Sequence, residues 1–157
     1  LRSAAPPVEP WLAPEMQRQA VCLARSFQHW TGRPLVEPGD ALQVAARLFE
    51  HPSAILSLAD GPTYNYGNRR AMELLERDWD QIRSMIGDES AEPHLREERR
   101  QALGEALRAG FITNYAGVRV SSRGQRRRIE DGILFALLDE AGERCGVGAV
   151  VPTWHDL

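Results

Sequence analysis

The last third of the chain constrains the fold most, because it has the pattern of three consecutive β-strands. In the stretch FITNYAGVRVSS, the apolar residues Ile112, Ala116, Val118 and Val120 are separated by polar or small residues. This alternation is typical of a strand that buries one face. The turn RGQ separates this strand from a second strand segment, and a glycine-containing turn at Asp139–Gly142 separates the second segment from a third. Three strands joined by short turns predict an antiparallel meander.

Two shorter strands and a junction with a helix are predicted upstream. The stretch SAILSLADGPTYNYGN contains two strand-like segments around the turn at 60–62. Asn68 follows the second segment and is a favoured N-cap, because its side-chain oxygen can accept hydrogen bonds from the first turn of a helix. The apolar stripe predicted for that helix consists of Ala71, Leu74, Leu75 and Ile82.

Further helices are predicted on both sides of these two strands. Pro14-Glu15 suits a helix start, and Asp40 is a good N-cap for a helix over 41–49. The charged segment 89–108 is predicted to be helical, and Gly110 would end it. The first of these helices has one apolar face, formed by Met16, Ala20, Leu23, Phe27 and Trp30. The inward positions expected in the last are Leu95, Ala102, Leu103 and Leu107.

Composition places the chain among ordinary globular domains. It has 157 residues, of which 43% are hydrophobic and 26% charged. The formal net charge of −3 gives no support to binding of nucleic acid or of a membrane surface, which favour a basic surplus, so we expect neither partner. No apolar run approaches the ~18 residues of a membrane span. Without a signal-peptide pattern, we expect a cytoplasmic protein in which Cys22 and Cys145 are reduced thiols.

Several short stretches, in this order, resemble the MEKHLA family, a group related to PAS domains. They are TGRPL at Thr31–Leu35, YNYGNRRAMEL at Tyr64–Leu74, WD at Trp79-Asp80, SAEP at Ser90–Pro93, GFITNYAGVRVSSRG at Gly110–Gly124, LLDEAG at Leu137–Gly142, and Trp154. The resemblance covers roughly residues 16 to 154. It implies an α+β fold with a PAS-like five-stranded antiparallel sheet and helices on one face, preceded by two N-terminal helices.

The sequence also departs from the family pattern at three places. The resemblance leads us to expect an aromatic residue at Arg127, a tryptophan at Phe135 and a GQAA-like step at 146–149. These departures make the sheet less aromatic than the family pattern implies. For domain organisation we predict a flexible arm over 1–13, a helical extension over 14–52 and the PAS-like domain over 53–157.

Motifs of known chemistry are missing from the sequence. It contains no GxSxG, HExxH, GxxxxGK[ST] or GxGxxG motif, so we expect no enzyme and no catalytic residue. The resemblance to PAS domains raises the question of a flavin or haem, but no cysteine lies in the helical middle and His94 is the one histidine there. His94 lies in a charged segment and suits a surface position better than a haem ligand. We expect no metal site, and the cofactor remains undetermined at this stage.

A small ligand between sheet and helices is the function that the resemblance favours. The candidate ligand-binding residues are Leu56, Leu58, Asn65, Tyr66, Trp79, Tyr115 and Phe135. Such a sensor would contain a cavity lined by residues that include Leu56, Leu58, Tyr66, Ile112 and Phe135. An alternative assigns most of these side chains to a filled core. Arg119, if it faces inward, would need a carboxylate or an acidic ligand, but its position between Val118 and Val120 leaves its face of the sheet open.

Two functions therefore remain open at this stage. One is a sensory or signalling module that binds a small molecule and acts through a separate partner. The other is a ligand-free interaction domain with a filled core, which would dimerise through the apolar face of the first helix. That helix could equally cover the outer face of the sheet within its own chain.

Overall fold

The computed structural model describes residues 9–59 and 61–157. The strands are Ala54–Leu58 (β1), Tyr64–Gly67 (β2), Phe111–Val120 (β3), Arg126–Leu138 (β4), Arg144–Val151 (β5) and Thr153–Asp156 (β6). The α-helices are Pro14–Thr31 (α1), Ala41–Phe49 (α2), Arg69–Leu75 (α3), Trp79–Ser84 (α4) and Arg96–Ala109 (α5). Three 3-10 turns cover Pro10–Leu12, Gly87–Ser90 and Pro93–Leu95.

All strands of the sheet pair antiparallel, in the order β2-β1-β5-β4-β3. The last three of them form the meander that the alternating pattern predicted. The short strand β6 adds a sixth member by pairing with the first half of β4, and the sequence analysis did not predict it. The predicted five-stranded antiparallel sheet is thus confirmed, with this one addition.

Helices cover both faces of the sheet. Helices α3, α4 and α5 lie against one face, here called the inner face, as the resemblance implied. Helices α1 and α2 pack on the opposite, outer face of the same chain, where Phe27 meets Phe135 edge to face with ring centroids 5.5 Å apart. The first helix therefore covers its own sheet, and its residues Met16, Leu23 and Phe27 are buried within one chain.

Gly148 in β5 lets helix α1 approach the outer face closely. A Cβ atom at this position would lie 2.5 Å from Cζ of Phe135 and 3.0 Å from Cδ2 of Leu23. The first distance is shorter than van der Waals contact allows, so any side chain here would displace the phenylalanine or the helix. Close packing therefore explains the glycine at this position, which lies in the 146–149 step where the sequence departs from the family pattern.

The side chain of Asn68 connects three elements at the junction that follows β2. Its Oδ1 accepts hydrogen bonds from the backbone N–H groups of Ala71 at 3.0 Å and Ile55 at 2.9 Å. Its Nδ2 donates to the carbonyls of Leu48 at 3.2 Å and Ser53 at 2.9 Å. The predicted N-cap is correct, and the same amide also holds the end of α2 and the start of β1.

The helical predictions need three corrections. The stripe predicted as one helix is divided into α3 and α4, because Glu76 adopts a left-handed conformation with φ of 52° that an L-residue adopts at a cost. The segment predicted as helical over 89–108 begins as 3-10 turns around Pro93, and its α-helix starts at Arg96. Leu107, expected to face inward, is 39% exposed.

The predicted arm over 1–13 lies partly outside the described residues. In its described part, Pro10–Leu12 forms a 3-10 turn, and Trp11 stacks on Phe49 with ring centroids 3.9 Å apart. Order therefore begins earlier than the sequence indicated, because the tryptophan has an aromatic partner on α2. The predicted division between residues 52 and 53 stays a prediction, although α1 and α2 share one hydrophobic core with the sheet.

We predict that helix α1 is an integral part of this fold. Leu23→Ala should lower the free energy of unfolding by about 2–5 kcal/mol, because Leu23 is fully buried against the sheet. Leu42→Ala makes the same chemical change at a side chain that is 50% exposed, and should cost about 0.5 kcal/mol or less. Urea unfolding measures both, and equal small losses would contradict the packing of α1 on the sheet.

A second prediction concerns Asn68. Asn68→Ala should lower the free energy of unfolding by about 3 kcal/mol or more, because it removes a helix cap and leaves buried backbone groups without partners. The matched control is Asp78→Ala, since Asp78 caps α4 with a 2.8 Å bond from the N–H of Gln81 but is exposed to solvent. That change should cost only about 1 kcal/mol. Equal losses in urea unfolding would mean that Asn68 acts as an N-cap and nothing more.

Candidate functional site

The inner face of the sheet encloses a cavity beneath helices α3 and α5. Its volume is about 30 Å³. Most of the wall is apolar, and the polar side chains of Tyr64 in β2, Tyr115 and Arg119 in β3, and Arg99 in α5 reach it. The lining comprises Leu56, Ser57, Leu58, Tyr64, Leu74, Leu75, Arg99, Leu103, Tyr115, Arg119, Ile129, Leu134, Val147, Ala149 and Val151.

Strand register explains which side chains reach the cavity. In the central pair β1 and β5, Leu56 lies opposite Ala149 and Leu58 opposite Val147. Because opposed residues of an antiparallel pair share a face, these four line one wall. Arg119 also faces inward, which settles the question that its position between two valines left open.

Arg99 is the most buried charged residue of the site. Only 6% of it is exposed, although it lies in the charged helix α5. Its Nη1 donates to Oδ1 of Asp88 at 3.0 Å and its Nη2 donates to the hydroxyl of Tyr64 at 3.1 Å. Its Nε–H has no hydrogen-bond partner among the described residues. Burial by itself would lower the pKa of Arg99, but the Tyr64 hydroxyl and the Asp88 carboxylate outweigh it and raise that pKa.

Asp88 is shared by two arginines of α5. Its Oδ2 accepts from Nη2 of Arg100 at 2.6 Å, while Oδ1 is held by Arg99. Burial would raise the pKa of Asp88, but the hydrogen bonds and charges of Arg100 and Arg99 more than compensate, so the pKa lies below its ordinary value. The carboxylate therefore stays ionised at neutral pH and fixes the Gly87–Ser90 turn against α5.

Arg119 has a different environment, in which its hydrogen-bond acceptors are neutral. Its Nη2 donates to the hydroxyl of Tyr115 at 2.8 Å and its Nη1 to the carbonyl of Val118 at 3.1 Å. Among the described residues, no carboxylate oxygen pairs with it. Its neighbour across the strands, Arg127, is paired with Glu76 at 3.2 Å and Asp156 at 3.0 Å. Arg119 thus brings to the cavity wall a positive charge that has no acidic partner in the part of the chain that the structure describes.

A surface groove adjoins the cavity. It has a volume of about 370 Å³. Leu58, Arg99, Leu103 and Val147 line both spaces, so these side chains form the wall between the groove and the cavity. The residues that border the groove alone include Ile86, Asp88, Arg100, Leu107 and Arg144.

The structure brings together some of the predicted ligand-binding residues. Leu56, Leu58 and Tyr115 line the cavity. Those that lie elsewhere are Asn65, Tyr66, Trp79 and Phe135.

Two features explain why these residues do not line the cavity. Alternate residues of a strand face opposite sides of the sheet, and the outer side has a hydrophobic core of its own. Tyr66 and Phe135 are fully buried in the outer core with α1, and Trp79 packs edge to face on Tyr66 at 5.6 Å. Asn65 accepts a hydrogen bond from the Ser57 hydroxyl at 2.6 Å, and that hydroxyl also accepts one from Gln19 of α1 on the outer face. Burial in this apolar layer raises the pKa of Tyr66 well above its usual range.

Sequence reasoning missed Arg99 and Tyr64 as cavity residues. The sequence places Arg99 in a charged helical segment, which is typical of a solvated helix face. A signal was nevertheless present, because Leu95, Arg99 and Leu103 follow one another at four-residue steps and so share a face of the helix. An arginine in the middle of an apolar stripe indicates a buried charge with a specific partner.

Other kinds of site find no support within residues 9–59 and 61–157. No group of three or more histidine, cysteine or acidic side chains there could hold a metal ion. The side chain of His94 is 69% exposed. Cys22 and Cys145 do not form a disulfide with each other. Across the same residues, none of the helices has the length and apolar character needed to cross a membrane.

The Asp88 pair predicts a specific dependence of stability on pH. The folded-state pKa is lowered, so the stabilisation is complete above the ordinary value of 3.8 and is lost as the pH falls through the folded value. Asp88→Asn should lower the free energy of unfolding by about 1–3 kcal/mol at pH 7. The difference in that free energy between the variant and the unmodified protein should become smaller below about pH 4. Asp80→Asn changes an exposed aspartate of α4 and should cost less than about 1 kcal/mol. Urea unfolding at several pH values measures this, and a gap that stays constant in acid would contradict it.

The solved structures similar to this chain include PAS domains. A PAS domain from Colwellia psychrerythraea has 17% sequence identity and a TM-score of 0.64, and the match covers 75% of this chain and 98% of that one. VqmA of Vibrio cholerae, in a complex with ligand and DNA, has 14% identity and a TM-score of 0.59, with 74% of this chain and 51% of that chain covered. The PAS domain of a LuxR-family regulator from Burkholderia thailandensis, in complex with ethanol, has 12% identity and a TM-score of 0.54. The match covers 71% of this chain and 95% of that one.

At these identities the likeness shows the fold alone. This chain spans about half of the VqmA chain. Since that VqmA structure is a complex with DNA, the comparisons do not support the exclusion of nucleic acid that the net charge suggested.

Sequence comparison identifies the family. Comparison with curated proteins found no match. The model of the MEKHLA domain matches residues 17–156, which include α2, all six strands and nearly all of α1. With its PAS-type fold, this chain belongs to the MEKHLA domain family.

Proposed function

We propose that this protein is a PAS-like sensory or signalling module that binds a small molecule in the cavity on the inner face of the sheet. The observation that supports the proposal is the make-up of that cavity. Its walls are mostly apolar, and the polar groups of Tyr64, Arg99, Tyr115 and Arg119 converge on it from two strands and a helix. Ligand sites are typically apolar concavities with a few placed polar groups that orient the ligand.

The volume of the cavity limits the size of the ligand. A space of about 30 Å³ holds about two water molecules. A ligand of a few heavy atoms fits with small side-chain movements, and a larger one requires the wall shared with the groove to open. The PAS domain from Burkholderia thailandensis holds ethanol, so a ligand of this size has a precedent in the fold.

The signal would pass to a separate partner. Support comes from VqmA, in which a fold like this one occupies about half of a protein that is complexed with both ligand and DNA. The partner of this chain, whether protein or nucleic acid, would respond to a change of shape when the cavity fills. A cytoplasmic location remains a prediction.

The ligand-free interaction domain stays as the second candidate, because the cavity is small. Its proposed interface is less well supported, since Met16, Leu23 and Phe27 of α1 are buried against the sheet of the same chain. A homodimer through α1 would have to use the remaining surface of that helix.

A cavity-filling variant tests the proposed function. In protein purified without denaturation, native mass spectrometry should show a retained small molecule, or binding of small molecules added at millimolar concentration. Ala149→Leu should abolish this binding, because Ala149 lines the cavity and the larger side chain occupies it. Ala149→Ser is the matched control, since it changes the same residue without filling the space, and should bind as the unmodified protein does.

Two results would contradict the proposal. Binding that is unchanged in Ala149→Leu would place the ligand elsewhere. Absence of any bound molecule in all three proteins, together with a folded and self-associating chain, would favour the interaction domain. Thermal unfolding of each variant establishes that the fold is retained.

A further inference from the structure

We propose that the molecule bound in the inner cavity is a small organic carboxylate, held by Arg119 and Arg99. This inference rests on the proposed function and specifies the chemical class of the ligand. It follows from the charge balance of the cavity, from the hydrogen bonds its two arginines leave unmade, and from the apolar character of the rest of the wall.

The charge balance of the cavity is positive. Arg99 and Arg119 both line it, and no acidic side chain is among its lining residues. Asp88 borders the adjoining groove and is already shared between Arg99 and Arg100. Arg100 also pairs with Glu97 at 3.8 Å, so Asp88 is the acidic partner of Arg99 and Arg119 is the cavity arginine left to balance. Arg119 is half-buried, and a cation partly removed from water is stabilised by an accompanying anion, so the cavity favours a negatively charged occupant.

The guanidinium of Arg119 has more N–H donors than the hydrogen bonds it makes to described residues. A guanidinium carries five N–H groups in a planar fork that suits a carboxylate. In Arg119 the hydrogen bonds go to the Tyr115 hydroxyl and to the carbonyl of Val118, both neutral acceptors. A carboxylate would replace or supplement these with charge-assisted hydrogen bonds, which are about twice as strong as neutral ones.

Arg99 supplies the second observation that points to a ligand. The residue is 94% buried by its relative exposure of 6%, and its Nε–H has no acceptor among the described residues. A buried donor without a partner costs free energy. The Nε atom has almost no accessible surface, so a ligand oxygen recovers this cost when the Arg99 side chain shifts towards the cavity. Tyr64, whose hydroxyl accepts from Arg99, also lines the cavity and can turn its own O–H towards the same ligand.

The remaining wall selects the rest of the ligand. Apolar side chains such as Leu56, Leu134 and Val151 favour a short alkyl group beside the carboxylate. A single negative charge matches the one arginine that lacks an acidic partner, whereas a phosphate brings more charge and more oxygens than these donors serve. The adjoining groove is bordered by Arg100 and Arg144, which would attract an anion towards the cavity.

The test compares propionate with propionamide, which has nearly the same shape but no charge. Protein with isotope-labelled leucine and valine methyl groups is titrated with each compound and followed by NMR. Propionate should shift the methyl signals of Leu56, Leu134 and Val151 saturably, and propionamide should bind at least about tenfold more weakly, because a charge-assisted pair is lost. Inorganic phosphate is titrated as a further anion and should leave these signals unchanged.

Two variants locate the charge that matters. Arg119→Gln should weaken propionate binding at least about tenfold. Arg128→Gln removes the same charge from β4 at an exposed side chain that pairs with Glu130 and does not line the cavity, and it should bind propionate normally. If Arg119→Gln fails to fold, the comparison of propionate with propionamide on the unmodified protein still decides the question.

The outcomes separate this inference from the proposed function. Equal binding of propionate and propionamide at the cavity methyl groups would overturn the carboxylate while leaving a ligand-binding module. Phosphate binding in place of propionate would overturn the ligand class, and full propionate affinity in Arg119→Gln would overturn the role of that residue. Binding of none of the three would overturn the carboxylate, and the Ala149 variants would then decide the proposed function independently.

Discussion

The four hydrogen bonds of the Asn68 side chain are the constraint on which the rest of the structure depends. They join the last turn of α2, the first residues of β1 and the first turn of α3 at one buried point. The outer layer, the sheet and the inner layer are thereby held together through a single amide. An aspartate would lose both donors, and a serine could not reach all four groups, so the residue type follows from the number of partners.

The two faces of the sheet differ in how they are packed. The outer face is filled by aromatic and aliphatic side chains, with Phe27 on Phe135 and α1 seated over Gly148. The inner face encloses a small cavity and carries two arginines. Dense packing on one side supplies stability through apolar burial, which offsets the cost of keeping charged groups and space on the other. This arrangement suits a module whose inner layer responds to a ligand.

Much of the fold could be predicted from local patterns, and less of the site. The meander followed from alternation and turn residues, and the cap at Asn68 followed from its position before an apolar stripe. Leu56, Leu58 and Tyr115 were placed in the cavity wall, whereas Tyr66, Trp79 and Phe135 went to the outer core. The error has one physical cause. Aromatic residues were assigned to the ligand layer, but the sheet has two buried faces and composition does not distinguish between them.

By itself, the sequence determined the order of strands and helices, the antiparallel meander, the helix start at Asn68 and the family resemblance. These depend on period, turn chemistry and capping, which act between residues close in the chain. Only the tertiary structure decided that Arg119 faces inward, that Arg99 is buried beside Tyr64, and that α1 covers its own sheet. Each of these depends on residues far apart in the sequence, because the face a side chain occupies is set by which strands pair and which helices pack against them.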